Sequence, residues 1–256
     1  MSVTPSIFTS VERMAKIEQM IVNYLRLPFA SETIPGSLLE AILGNVHEGE
    51  VLKTYDFADV IKRGSVGWQV KSTKSDTPVT WMRVKLPDKQ SLIEVSRNSE
   101  GERQVLGDSI INFCNTHARA SMELYHLRQI GYARLVLFPE GRIMYFERPL
   151  ISESSPLLFK SVDYAWQWST PKKTRGKEQL PAFVGEHKET GIKHFAWHGL
   201  GENQLHFSGE KSWWLPEGDS HRIDFHAPSE ANKVDFETIA EWLSQLPTVV
   251  ARGDAE

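Results

Sequence analysis

The chain of 256 residues has one cysteine, Cys114, and therefore cannot form an internal disulfide. This cysteine usage is expected of a protein that works in a reducing cytoplasm. Cys114 lies in an apolar run with helical spacing, which indicates a small core residue and not a nucleophile. No apolar run is long enough to cross a membrane. The N-terminus also lacks the basic and apolar regions of a signal peptide, so we expect a cytoplasmic protein without a membrane anchor.

The chain also has no excess of positive charge, because its formal net charge is −4. This value gives no support to nucleic-acid binding by itself, since local clustering of basic residues is what matters. One basic cluster follows Pro171 and consists of Lys172, Lys173, Arg175 and Lys177. It is either a solvated surface loop or a loop that contacts DNA phosphates.

Several common functional motifs are missing. There is no glycine-rich phosphate loop, no serine-nucleophile elbow and no dinucleotide fingerprint. His194 and His198 have the spacing of zinc ligands on a helix, but the residues around them are typical of strand and loop, and no cysteine is near. Ordinary surface or core histidines are the better interpretation. Trp213, Trp214, Trp166 and Trp168 could stack on unpaired bases, although aromatic residues in a strand-rich region are more often core.

The most informative segment combines one carboxylate with an amide and a lysine. Asp59 is followed by Gln69 and Lys71, which occupy alternate positions of an apolar strand. Residues two apart on a strand face the same way, and Asp59 reaches that side if the two strands are hairpin partners. Two oxygen ligands beside an ammonium group suit metal-assisted hydrolysis of a phosphodiester.

Asp59, a spacer and Gln69-x-Lys71 resemble the signature of the PD-(D/E)xK, or restriction-endonuclease-like, nucleases. This family includes most type II restriction endonucleases and related repair and junction nucleases. Ala58 stands where the signature has proline, and Gln69 replaces the second acid, as in the Mrr-type branch. Many members also have a glutamate on the helix before the first strand, and Glu40 holds the matching position here.

The resemblance implies a role for each of these residues. Asp59 would bind Mg²⁺, Gln69 would supply a carbonyl ligand, and Lys71 would position the attacking water and stabilise the transition state. Glu40 would help to hold the metal or its water. The activity implied is the site-specific cleavage of double-stranded DNA by a prokaryotic type II restriction endonuclease. Such an enzyme is expected to be a homodimer, because two-fold protein symmetry mirrors a palindromic site.

The order of predicted elements agrees with the αβββαβ core of this family, a mixed sheet flanked by helices. We predict an α/β fold with an N-terminal helix in 1–29, the catalytic core in 30–150 and a β-rich part in 151–256 that supplies DNA recognition. Within the core, strands are predicted at 51–61, 66–73 and 78–86, a short fourth strand at 92–95, and a long helix at 104–130 that ends at a glycine.

On the long helix, Asn115 and Arg119 are four residues apart and share a face. In the family that this chain resembles, the polar edge of the matching helix faces the active-site cleft or a partner subunit, which implies DNA contacts for Asn115 and Arg119; a solvated helix face is the alternative. Two alternatives to the restriction enzyme stay open. One is a non-catalytic nucleic-acid-binding protein with a degenerate nuclease fold, which Gln69 favours because an amide is a weaker metal ligand than a carboxylate. The other is a repair or modification-dependent nuclease.

Overall fold

The computed structural model describes residues 6–30, 33–54, 56–174 and 177–245. Two helices come first, α1 (Val11–Leu25) and α2 (Gly36–His47). Helix α1 begins at Ser10, whose side chain accepts a hydrogen bond from the backbone N–H of Arg13, so the predicted N-cap is confirmed. The buried face of α1 repeats at helical spacing and comprises Met14, Ile17, Ile21 and Leu25.

A six-stranded mixed sheet carries most of the predicted core. Its strands are β1 (Glu50–Val51), β2 (Val60–Lys62), β3 (Val66–Lys74), β5 (Gln129–Leu137), β6 (Arg142–Ser152) and β13 (Arg222–His226). They lie in the order β1-β2-β3-β5-β6-β13. Strands β2 and β3 form the predicted antiparallel hairpin, and β3 pairs in parallel with β5. Helices on either side of a mixed sheet establish the α/β class.

A second, five-stranded sheet packs beside the first. It consists of β4 (Val79–Arg83), β7 (Tyr164–Trp168), β10 (Phe183–His187), β11 (Lys193–Trp197) and β12 (Gln204–Phe207). Their spatial order is β4-β12-β11-β10-β7. The third predicted core strand exists as β4, but it pairs with β12 and not with its neighbours in sequence. Strand β4 thus lies before residue 150 but belongs to the second sheet, whereas β13 lies after it but belongs to the first. The predicted boundary at residue 150 therefore does not separate the two sheets.

Three predicted elements differ from the structure. The predicted strand at 51–61 is interrupted, because β1 ends at Val51 and β2 begins at Val60. The loop between them is closed by a hydrogen bond from the N–H of Leu52 to the carbonyl of Asp59, at 2.9 Å. The predicted strand at 92–95 is wrong: these residues end a short helix, α3 (Lys89–Val95), which follows Pro87 and Asp88. Its apolar residues do not alternate, and Ile93 is its buried side chain.

The long helix α4 (Glu100–Tyr125) ends earlier than predicted. His126 adopts a left-handed conformation with a φ of 55°, and residues 129–131 already belong to β5. Gly131 is therefore not a helix terminator. A Cβ atom at this position would lie 2.9 Å from the Cβ of Ile7, so glycine permits the N-terminal segment to cross the strand closely.

Trp166, Trp168, Trp213 and Trp214 all pack in or against one large hydrophobic core cluster. Trp166 is buried and stacks on Phe183 with 5.2 Å between ring centroids. Trp213 packs edge-on against Trp81 at 5.8 Å and against Phe207 at 4.8 Å. The interpretation as core is confirmed for Trp166, whereas Trp168, Trp213 and Trp214 are partly buried and pack against the same core.

A buried polar network holds the N-terminal segment on the first sheet. The carboxylate of Glu147 accepts hydrogen bonds from the hydroxyl groups of Tyr145 (2.6 Å) and Thr9 (2.5 Å) and from the backbone N–H of Thr9 (2.7 Å). His47 lies 3.0 Å from the Thr9 hydroxyl and stacks on Trp68. Burial lowers the pKa of His47 to about 4. The folded protein therefore keeps this imidazole neutral.

This network predicts a pH dependence of stability. The pKa of His47 is lower in the folded chain than in the unfolded chain, so its contribution is fully present above about pH 6.5 and is lost as the pH falls toward 4. We expect this one group to reduce the free energy of unfolding by up to about 3 kcal/mol over that range. Urea unfolding of the wild type and of His47→Gln at several pH values measures the effect. The variant should have a shallower pH dependence, and parallel profiles would contradict the prediction.

Candidate active site

Strand β3 positions Gln69 and Lys71 on one face of the first sheet. The strand has hydrogen-bonded neighbours on both sides, which fixes its pleat. Trp68 points to the other face, where its indole N–H donates to the carbonyl of Ile7 at 2.8 Å. The predicted alternation along this strand is confirmed, and it places Gln69 and Lys71 in one cleft together with Asp59.

Asp59 is held by the backbone on either side of Gln69. Its N–H donates to the carbonyl of Trp68 at 2.8 Å, and its carboxylate accepts from the N–H of Val70 at 2.7 Å. Burial raises the pKa of Asp59, and the charge of Lys71 opposes this rise. The proximity expected from a hairpin is thus present, although Asp59 lies in the loop immediately before β2 and not within a strand.

Glu40 lies on helix α2 and is half-buried. Burial raises the pKa of its carboxyl group, the negative charge of Asp59 raises it further, and Lys71 lowers it. Asp59, Gln69 and Lys71 line the cleft together, whereas Glu40 is not among the residues that line it. The structure therefore brings together three of the four residues that the sequence singled out for chemistry.

The amide oxygen of Gln69 is the unusual atom of the site. Gln69 is 2% exposed, and its Oε1 has no hydrogen-bond partner in the structure. A buried acceptor is nearly always satisfied, because an unsatisfied one costs free energy. An unpartnered carbonyl oxygen in one cleft with the carboxylate of Asp59 fits a divalent cation, since oxygen donors are the ligands of hard cations such as Mg²⁺.

The ligand set is small for a metal centre. The described part of the chain contains no group of three or more histidine, cysteine, aspartate or glutamate side chains that could hold a metal ion. At this site two carboxylates and one amide would have to do so. The donor types fit Mg²⁺, but we expect weaker binding than three acids would give.

The cleft has a volume of about 700 Å³ and lies between the two sheets. Its other wall is formed by β4 and the residues just after it, by α4 and by β12, which contribute residues that the sequence did not single out. These residues are Thr80, Arg83, Lys85, Phe113, His117 and Gln204. The basic residues Arg83 and Lys85 can be read from the sequence, but their position in the cleft depends on the pairing of β4 with β12.

The loop between β1 and β2 is fastened to α4. The phenol of Tyr125 donates to Asp56 at 2.6 Å, and Thr54 donates to the same carboxylate. The N–H of Phe57 donates to the hydroxyl of Ser121 at 2.9 Å. The hydrogen bond to Asp56 raises the pKa of Tyr125. These contacts fix the segment that leads into Asp59.

The two helix residues predicted to contact DNA lie away from the cleft. Asn115 is buried, and its amide donates to the carbonyl of Phe159 at 2.9 Å and accepts from the N–H groups of Leu158 and Phe159. It connects α4 to the segment before β7, so we do not retain a DNA contact for it. Arg119 is exposed and donates weakly to Thr116 at 3.4 Å.

The basic cluster forms a small hairpin of its own. Lys172 and Lys173 lie on β8 (Lys172–Thr174), and Lys177 begins β9 (Lys177–Gln179). Arg175 lies outside the described residues. A role of this hairpin in phosphate contact stays a prediction.

The histidines of the second sheet are arranged as pairs. His194 lies near His187, with 5.1 Å between ring centroids, and His198 lies near His206 at 5.0 Å. His194 and His198 belong to different pairs, and the described residues hold no third metal-binding side chain for either. The zinc alternative therefore finds no support.

Comparison with protein-family models, with curated proteins and with solved structures found no match to this chain. Among the described residues, no helix has the length and apolar character needed to cross a membrane.

Proposed function

We propose that this chain is a divalent-metal-dependent nuclease that hydrolyses phosphodiester bonds of DNA. The main support is the buried, unpartnered Oε1 of Gln69, which shares a cleft with Asp59 and Lys71. An acid, an oxygen acceptor and an ammonium group in one water-accessible cleft are the parts that such hydrolysis requires.

Each side chain has a separate task in this proposal. Asp59 and Gln69 would hold Mg²⁺, with Glu40 assisting, and the bound ion would supply positive charge next to the scissile phosphate. Lys71 orients the attacking water and stabilises the negative charge that develops on the phosphate oxygens. The backbone hydrogen bonds of Asp59 hold its carboxylate in place before the substrate arrives.

The finer proposal is a site-specific endonuclease of the type II restriction class that acts on double-stranded DNA as a homodimer. It is supported by the motif, by the β2–β3 hairpin that carries it and by the helix that presents Glu40. The PD-(D/E)xK family is proposed on the same grounds.

A second candidate is a nucleic-acid-binding protein that has lost catalysis. The small number of carboxylates favours it, because Gln69 stands where a second acid would bind metal more strongly. The two candidates predict the same binding surface, and they differ in whether any phosphodiester bond is cut.

Incubation with unmodified and methylated phage DNA tests the proposal. In Mg²⁺ or Mn²⁺ the protein should produce discrete fragments, and EDTA should abolish them, since all proposed ligands are oxygen atoms suited to hard cations. Undiminished cleavage in EDTA would refute the metal mechanism. DNA binding without cleavage of any substrate would favour the non-catalytic candidate.

Replacing Gln69 with glutamate tests the amide as a ligand. Gln69→Glu keeps the side-chain length and adds a negative charge beside Asp59, so metal affinity should rise and cleavage should persist at lower Mg²⁺ concentration. Titration of activity with Mg²⁺ measures this shift, and Gln167→Glu, on the surface of β7, is the control. Complete loss of activity would mean that the site requires the amide N–H₂ as a donor.

A further inference from the structure

The proposed hydrolysis assigns no role to the second wall of the cleft. Asp59, Gln69 and Lys71 approach from the first sheet, whereas β4 approaches from the second sheet and α4 from one side. The catalytic wall carries carboxylates, which repel a phosphodiester. A substrate strand therefore needs compensating positive charge elsewhere in the cleft.

Arg83 and Lys85 supply that charge. Both side chains are exposed at the end of β4 and line the cleft. Within the described residues neither of them forms an ion pair with a carboxylate, in contrast to Arg134 and Arg222. A guanidinium and an ammonium group that are not neutralised by the protein are suited to bind phosphate oxygens.

A pair of stacked rings lies on the α4 side of the cleft. Phe113 and His117 are one helical turn apart, with 5.9 Å between ring centroids and an angle of 22° between the planes. Both are half-buried and line the cleft. Flat side chains beside phosphate-binding cations are typical of surfaces that bind single strands, because an unpaired base can place its face on a ring. In a duplex these faces are already covered by neighbouring bases.

We infer that the cleft binds a nucleic-acid strand that is unpaired at the site, with phosphates at Arg83 and Lys85 and a base against Phe113 and His117. This inference rests on the broader proposal of metal-dependent hydrolysis of DNA and departs from the finer, restriction-type proposal, because its substrate is a single-stranded, frayed or flapped DNA and not an intact duplex. The second sheet thereby becomes the binding half of the site, opposite the catalytic half.

Binding in EDTA tests the inference without requiring cleavage. Fluorescence anisotropy would compare one labelled oligonucleotide as a single strand, as a blunt duplex and as a duplex with an unpaired flap. The single strand and the flap should bind more tightly than the blunt duplex, by about fivefold or more, which corresponds to stacking one base. Phe113→Leu, which keeps an apolar side chain next to the core, should remove most of this preference.

The cations are tested by the salt dependence of binding. The double variant Arg83→Ala/Lys85→Ala should reduce the slope of log affinity against log salt by about 1.4 for the single strand, about 0.7 per phosphate contact. The double variant Lys16→Ala/Lys188→Ala removes two exposed lysines outside the cleft and should change the slope much less.

Several outcomes would overturn the inference. These are equal or tighter binding of the blunt duplex, an unchanged preference in Phe113→Leu, equal slopes in the two double variants, or no binding of any oligonucleotide. If the binding results agree but no DNA is cut in Mg²⁺, the inference holds and the proposed catalysis fails.

Discussion

Replacing Lys71 with alanine is expected to reduce DNA cleavage at least about a hundredfold, the loss typical of one preorganised electrostatic group. Asp59→Ala should have the same effect through loss of the proposed metal ligand. Both variants should fold and retain DNA binding, because most affinity comes from phosphate contacts elsewhere. The measurements are cleavage in Mg²⁺ and gel shift in Ca²⁺ on the same purified samples.

Lys188→Ala is the matched control, since it removes an exposed lysine outside the cleft. It should cut DNA as the wild type does. If Lys71→Ala also cuts at the wild-type rate, Lys71 is not part of the active site. If Asp59→Ala is fully active, the metal assignment is wrong.

Replacing Glu210 with alanine is expected to lower the free energy of unfolding by about 3–5 kcal/mol, because it leaves a buried charge without its partner. Arg134 is 0% exposed and Glu210 is 2% exposed, and Arg134 Nη2 lies 3.1 Å from Glu210 Oε1. Trp214 and Tyr132 also donate to this carboxylate, at 3.2 and 3.4 Å. Urea unfolding measures the difference.

Two further variants separate charge from packing. The double variant Arg134→Met/Glu210→Met removes both charges and should recover part of the lost stability, since no unpaired ion stays buried. Glu189→Ala, at an exposed position, should change stability by less than about 0.5 kcal/mol. A loss in Glu210→Ala as small as that of the control would contradict the prediction.

The wall of the cleft that carries Gln69 and Lys71 could be predicted because its geometry is local. Gln69 and Lys71 share a face through the two-residue period of one strand, and a short hairpin brings Asp59 beside them. These relations depend on the pleat and the turn, which a sequence displays directly.

The opposite wall, which carries Arg83 and Lys85, could not be predicted, since it depends on contacts between distant segments. The pairing of β4 with β12 decides where Arg83 points, and no local pattern specifies that partner. The ion pair of Arg134 and Glu210 spans 76 positions of the chain. Asn115 has the polarity of a surface residue, but its hydrogen bonds to the segment at Phe159 place it inside.

The exchange of strands between the sheets has a consequence for synthesis. Strand β4 lies at one edge of the second sheet and pairs with β12. The wall that carries Arg83 therefore cannot form until residues 204–207 have left the ribosome. The first sheet likewise cannot be completed until β13 has been synthesised. A nascent chain that already contains Asp59, Gln69 and Lys71 still lacks the opposite wall. The proposed active site is therefore completed only after most of the chain has been synthesised.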